Sequence, residues 1–332
     1  MNLNDVFENA LLSRWADLLP SRAPGRIGSI HEADCELVDL GGGRTLALTV
    51  DAVDEEIAAG LYLDAETAAR MAVIATLSDL AAVGAFPLGL LLSVCLPARA
   101  RASTQVSVAR GIRSACERAG VHVLGGDTSE GDSLRIACIG AGIVDGPVLR
   151  RVGLRPGDRL FASGPLGTGA AVAAAELLGV SGIGIDARRF APPPRLAYGR
   201  ALRGVASACI DTSDGLIAAI DQLARLNENA IDLDADLDAL LSPVARAARE
   251  RTGVRATSLL AAPHGEYELV FGVPPDRIAE LAVEALPIGV VKEGAGASIG
   301  GRSFDGARVR NLFAEVDGDL ARWVAGIESL WV

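Results

Sequence analysis

The stretch AETAARMAVIATLSDLAAVGA, residues 65–85, constrains this chain more than any other. Asp64 precedes it as a helix N-cap, and Gly84 and Pro87 close it. Between Arg70 and Asp79 no side chain carries a charge, so no polar stripe is left to face water. Such a helix must be buried on most sides. Asp79 then enters the interior with the helix. Burying an unpaired carboxylate is costly, and no basic residue stands three or four positions away to pair with it.

The segments around this helix alternate in period. MNLNDVFENALLSRWADLL reads as an acidic amphipathic helix, and RTLALTVD as a strand entered through Gly41–Gly43 and ending at Asp51. GLLLSVCLP, VHVLGGD and LRIACIGAGIV read as strands, and STQVSVARGIRSACERAG as an amphipathic helix. A second unit opens near residue 150, where GLRPGDRLFASG supplies a Pro-Gly turn and a strand. Beyond it the pattern predicts helices over 167–179, 195–204, 214–226 and 275–286. Strands are predicted over 206–210, 266–273 and IGVVK, with a Pro-rich linker APPPR between. This is an α/β (α+β) chain of two domains joined near 146–157, its sheets mixed or antiparallel because strands and helices do not strictly alternate.

Composition removes several function classes. The net charge is −11, which argues against a nucleic-acid surface. An acidic chain can still bind phosphates through an intermediary cation. No run of about 18 apolar residues suggests a membrane span, and the acidic start is unlike a signal peptide, so a cytoplasmic location is expected. Five cysteines form no CxxC pair and read as reduced, mostly buried residues. Three widely spaced histidines (31, 122, 264) give little support to a zinc or Ser-His-Asp centre. There is no P-loop. SGPLGTGAAVAAAELLG lacks G-x-G-x-x-G and reads as a tightly packed strand-to-helix turn.

The carboxylates are the remaining signal. CIDTSDGLIAAI sets Asp211 and Asp214 at the start of an apolar helix, where they serve either as caps or as metal ligands. Asp51 and Asp127 end strands, and Asp34 precedes an apolar segment. Each alone has a turn or cap explanation. Gathered at one rim they would repel, by roughly 4 kcal/mol per pair at 4 Å and an effective dielectric of about 20. Bound Mg²⁺ would cancel that repulsion and hold nucleotide phosphates.

TLSDLAAVGA (76–85), LGGDTSEG (124–131), GLRPGDRLFASGPLG (153–167), IDTSDGL (210–216) and EYELVFGVP (266–274) occur in this order. Together they resemble the thiamine-monophosphate kinases, of the aminoimidazole ribonucleotide synthetase (PurM-like) superfamily. The resemblance implies a two-domain PurM-like fold: residues 1–148 forming a mixed-sheet domain that dimerises and carries the Mg-ATP site, and 149–332 a C-terminal α/β domain. It implies ATP and Mg²⁺ as cofactors, a small-molecule substrate and a homodimer. The family's metal ligands fall on Asp34, Asp51, Asp79, Asp127, Asp211 and Asp214, and its nucleotide contacts on Gly126, Asp127, Arg151 and Ser213. Asp127, Asp214 and Glu266 are the expected catalytic groups, with His264 a second candidate near the acceptor.

The departures concern the acceptor. The family's first Asp of GDDCA is Ala33, and its Thr-Asp-Thr is Val50-Asp51-Ala52. Ala58 stands at its substrate-contacting histidine, Gly265 at its substrate-contacting glutamate, and Glu266 where an Asp follows. Trp323 and Trp331 are candidates for its C-terminal tryptophan. The expected activity is an ATP-dependent small-molecule kinase whose acceptor is not thiamine phosphate. The alternatives are an amide-activating synthetase or cyclase of the AIR synthetase type, and an inactive nucleotide-binding homologue.

Overall fold

The computed structural model describes residues 1–19, 23–100 and 102–331. The uncharged helix runs Ala65–Ala82, with Asp64 accepting from the Thr67 amide at 3.1 Å. Fifteen of its eighteen residues are buried, so it has no solvent face. It packs against the helix Ala102–Ala119 and the first sheet on one side, and on the other against the helix Leu196–Leu202 and the second sheet. One core cluster accordingly contains Met71, Leu77 and Leu80 of this helix, Ile136 of the first sheet and Phe271 of the second.

The first sheet contains β1 (Arg26–Ile27), β2 (Glu36–Gly41), β3 (Arg44–Ala52), β4 (Phe86–Pro97), β5 (Val123–Gly131) and β6 (Arg135–Asp145), in the order β1-β2-β3-β6-β4-β5. Only β4 and β5 are parallel, as their crossover through the helix Ala102–Ala119 requires. The second sheet contains β7 (Arg159–Ala162), β8 (Ala208–Asp211), β9 (Ala230–Leu233), β10 (Leu269–Val273), β11 (Leu286–Lys292), β12 (Gly296–Ile299) and β13 (Arg302–Phe304). Their order is β13-β12-β9-β11-β7-β10-β8, with only β9 and β12 parallel. Both sheets are mixed and largely antiparallel, as the irregular alternation of elements implies.

Alternation along β3 sorts its residues by face. Thr45 and Ala47 are buried beneath the central helix, whereas Leu48 and Val50 are exposed on the outer face. The N-terminal helix, Phe7–Leu18, lies across the second half of the molecule. Its Asn9 donates to Gln222 at 3.0 Å, and the Phe7 amide donates to Asn311.

The helix expected over 275–286 does not form. Pro275–Glu280 is a short 3-10 helix, and β11 begins at Leu286. Between them Leu281, Val283 and Ala285 are half-buried while 282 and 284 are exposed, a period of two that suits an extended segment. The five cysteines are unpaired, and four are buried. The SGPLGTG segment is a close-packed turn. A Cβ on Gly169 would stand 2.1 Å from the Gly265 carbonyl oxygen.

The helix Leu196–Leu202 reaches the central helix through a glycine. A Cβ on Gly199 would lie 1.9 Å from the carbonyl oxygen of Ala81. Gly199→Ala is expected to lower stability by about 1–3 kcal/mol through overpacking. Urea unfolding checks this, and an unchanged midpoint would contradict the tight crossing.

Candidate active site

Four elements end at one place. The central helix delivers Asp79 from its last turn, β3 delivers Asp51, β8 delivers Asp211, and the turn before β2 delivers Asp34. Oxygens of Asp34, Asp79 and Asp211 lie within 4.8 Å of one another. At that separation each charged pair would repel by roughly 3.5 kcal/mol at an effective dielectric of about 20.

Neutral donors relieve part of this. The Thr49 hydroxyl donates to Asp79, and Ser78 donates to Asp211 at 2.6 Å. The Ser213 hydroxyl and amide donate to the other Asp211 oxygen, at 2.8 and 3.2 Å. Arg151 meets Asp34 at 2.8 Å, and one guanidinium stands against the group formed by Asp34, Asp51, Asp79 and Asp211. Oδ2 of Asp34 and Oδ2 of Asp51 are buried without a hydrogen-bond partner. Orphaned carboxylate oxygens beside converging ones form a hard-oxygen donor set, which fits Mg²⁺.

The electrostatics follow from crowding. Burial, and then the neighbouring Asp211, push Asp51 up to about 7. Burial and Asp34 raise Asp211 to about 6 against the opposing donors Ser78 and Ser213. Asp79 is pushed well above the usual carboxylate range by burial, with Asp51, Asp211 and Asp34 adding to it. Burial works against the Arg151 charge, but Asp34 outweighs it and keeps the guanidinium protonated.

The cap reading of CIDTSDGL does not hold. Asp214 occupies the N-cap position of the helix Gly215–Asn227 without a side-chain cap bond, and the Ser213 hydroxyl turns to Asp211. Asp214 instead opens into a cleft of about 90 Å³ with Arg151, Asp211 and Ser213. Asp214 is exposed at the cleft's surface, and the protein crowded around it, then Glu8, raise its carboxyl, with Arg310 opposing.

Asp127 and Gly126 are not brought to this cluster within one chain. Register pairs Asp51 with Cys138, Cys138 with Leu92, and Leu92 with Gly126. Three strand spacings, roughly 14 Å, therefore separate β3 from the edge strand β5. Asp127 is one residue further, paired with Ser93, and so projects from the opposite, outer face. Gly126 is needed where it stands, since a Cβ would meet the Leu92 carbonyl at 2.0 Å.

Glu266 does not face an acceptor either. It is buried, accepts from the Gly167 amide at 2.6 Å and from the Thr212 hydroxyl at 3.0 Å, and is raised to about 7 mainly by burial. It ties the 212–214 loop to the turn before the helix Thr168–Leu178. His264 bonds Tyr62 at 3.1 Å and is lowered to about 4 by burial, which leaves it neutral. Gly265 donates to the Ser213 carbonyl, and a Cβ there would meet the Thr212 oxygen at 1.5 Å, leaving no room for a side chain. Ala58 ends the short helix Asp54–Ala58 and is exposed. Of the two tryptophans, Trp323 lines an apolar cavity next to Asp214, whereas Trp331 packs on Phe304.

Arg310 is the residue that the sequence did not disclose. It lines the Asp214 cleft and donates to Gln222 at 2.6 Å, with Asp221 at 3.5 Å. Its helix, Gly306–Glu315, lies beyond the recognisable motifs. The pairing of Asp305 with the Arg308 amide is a cap signal that would have located the helix but not its arginine.

Residues 32–144 match the family model for the AIR synthase related protein, N-terminal domain. The thiamine-monophosphate kinase of Haemophilus influenzae is 31% identical over 79% of this chain and 83% of its own length. The chain is a thiamine-monophosphate kinase-like member of the AIR synthetase (PurM-like) superfamily. The corresponding kinase of Caulobacter vibrioides is 34% identical over 77% of this chain and 76% of its own. A ThiL structure complexed with AMPPCP and TMP superposes with a TM-score of 0.78 at 25% identity, covering 92% of this chain and 97% of that one. The two mixed sheets are the PurM-like architecture of this family.

The raised carboxyls predict how stability varies with pH. The folded chain holds protons that the unfolded chain, titrating near pH 4, has already released. The cluster's contribution is therefore largest below about pH 4 and is lost as the pH rises through 6 and 7. The melting temperature of metal-free protein should fall from pH 5 to pH 8, less steeply in Asp79→Asn, and millimolar Mg²⁺ should restore it at pH 8. A flat profile unaffected by Mg²⁺ would contradict the repulsive cluster.

Proposed function

We propose that this chain is an ATP- and Mg²⁺-dependent kinase of a small molecule other than thiamine phosphate. The observation that carries the reading is the convergence of Asp34, Asp79 and Asp211, with Asp51 beside them and two carboxylate oxygens orphaned. Asp34, Asp51, Asp79, Asp211 and Asp214 would hold Mg²⁺, which supplies neutralising charge for nucleotide phosphates. The chain's own residues position the reactants. Arg151 offers its unpartnered Nε–H to the nucleotide, Ser213 would reach it by turning its hydroxyl from Asp211, and Arg310 lines the same cleft as Asp214. Phosphoryl transfer asks for little else, because alignment and charge stabilisation lower most of its barrier.

The different acceptor rests on two positions. Ala58 offers no imidazole, and the backbone around Gly265 excludes a glutamate. Asp211→Asn is expected to weaken Mg-ATP binding at least 100-fold by calorimetry while circular dichroism stays native. Wild-type affinity in this variant, or no ADP release with any acceptor in the presence of Mg-ATP, would refute the assignment.

The reading includes a homodimer. The outer face of the first sheet exposes Leu48, Val50, Leu91 and, on the edge strand, Leu124, an apolar surface of the kind that monomers rarely leave open. A second copy covering it would bring the partner's β5 edge, and with it a second Asp127, toward this interface. Val50→Glu combined with Leu91→Glu should convert the protein to a monomer in light scattering. A dimer that persisted would move the interface elsewhere.

A further inference from the structure

A second cavity, of about 230 Å³, adjoins the metal cleft and shares Asp214 with it. Its walls are Leu61, Ala173, Leu177, Leu259, Phe313 and Trp323. They come from the loop after the helix Asp54–Ala58, from the helices Thr168–Leu178, Ala256–Leu260 and Gly306–Glu315, and from the C-terminal helix Leu320–Ser329.

The polar groups in this wall are already committed over most of its length. The Ser258 hydroxyl donates to Glu328, the Thr252 hydroxyl to the Ala248 carbonyl at 2.8 Å, and His264 turns Nε2 to Tyr62. Free polar capacity concentrates at the end where Glu55 and Glu56 stand near Asp214. No lysine or arginine lines the cavity among the described residues.

The geometry points to an acceptor with an apolar body and a single polar end, an alkyl, prenyl or arylalkyl alcohol or its monophosphate. The body lies against Phe313 and Trp323, and the terminal oxygen reaches the Asp214 end, where the cavity meets the metal cleft. A heteroaromatic body with several ring nitrogens and an amino group would meet few open partners along these walls and would bury unsatisfied polar atoms. The volume lies below the roughly 300–1,000 Å³ of drug-sized sites, so the body is short. In the transfer, the acceptor's terminal oxygen bonds to the γ-phosphorus. The bond from that phosphorus to the β–γ bridging oxygen breaks, and its electron pair leaves with ADP. A monophosphate dianion attacks without losing a proton, whereas an alcohol passes its proton to the Glu56 carboxylate.

This inference rests on the kinase reading, and two measurements separate them. Binding of 3-methylbutyl and benzyl alcohols and of their monophosphates is followed by Trp fluorescence without nucleotide, with thiamine monophosphate as the polar comparator. ADP release with Mg-ATP is then measured for the same panel. At least one of the apolar compounds should bind at least tenfold more tightly than thiamine monophosphate, and the alcohol and phosphate arms assign the terminal group. Ala173→Phe, which fills the cavity, should lower kcat/KM for the best acceptor at least tenfold and leave the Mg-ATP Kd within twofold. Leu177→Gln, which makes the wall polar without filling it, should do the same if the larger residue impairs folding. Tighter binding of thiamine monophosphate, no binding of any apolar compound, or unaltered kinetics in both variants would overturn the acceptor class. Apolar binding without Mg-ATP binding would instead remove the kinase reading and leave the cavity's ligand class standing.

Discussion

Everything at this site depends on carrying Asp79 into the protein on a helix that has no solvent face. The uncharged run before it forces burial between two sheets, and that burial brings the strand ends bearing Asp51 and Asp211 against the same turn. The resulting repulsion works against folding, and hydroxyls from Thr49, Ser78 and Ser213 relieve it only partly. A site that tolerates unbalanced charge in its resting fold has much to gain from a counter-ion. Relief of that repulsion is the stabilisation that a bound cation would supply, and the core packed on both sides of the helix keeps the carboxylates from swinging apart.

The interior also explains why neighbouring residues of similar appearance do different work. Glu266 and Asp211 are both buried acids beside the same loop with both oxygens hydrogen-bonded, yet Glu266 reaches across to the Gly167 turn whereas Asp211 stands among other carboxylates. One fastens the loop. The other belongs to the charged rim.

Much of this was legible in the residues. The central helix announced itself by what it lacked, and the strands of the first sheet by their apolar runs and glycine turns. The family motifs named most of the carboxylates, four of which the structure clusters. Other features depend on tertiary facts that spacing does not carry. Asp127 reads like Asp51, an acid that closes an apolar strand, but the register across β6 and β4 sets it on the opposite face. The segment 275–286 has helical composition, yet its apolar residues bury at every second position. The helix Pro243–Thr252 went unread although it carries its own punctuation, Ser242 as cap, proline at its first turn and Gly253 at its end. Arg310 could not be read at all, because its meaning comes from a cleft assembled with four distant segments, around residues 8–12, 31, 151 and 210–222.

Gly265 has a consequence for how this protein can change. With the Thr212 carbonyl 1.5 Å from where a Cβ would sit, the position accepts no side chain until the 212–213 backbone moves. That backbone is held by Glu266 and adjoins Asp211. Placing a glutamate at 265 is therefore not a single step: the side chain would displace the loop that carries Asp211 before it made any contact of its own. Position 265 is thus fenced off from single-step change, and laboratory evolution of this chain should find room in the apolar walls around Phe313 and Trp323 rather than at this glycine.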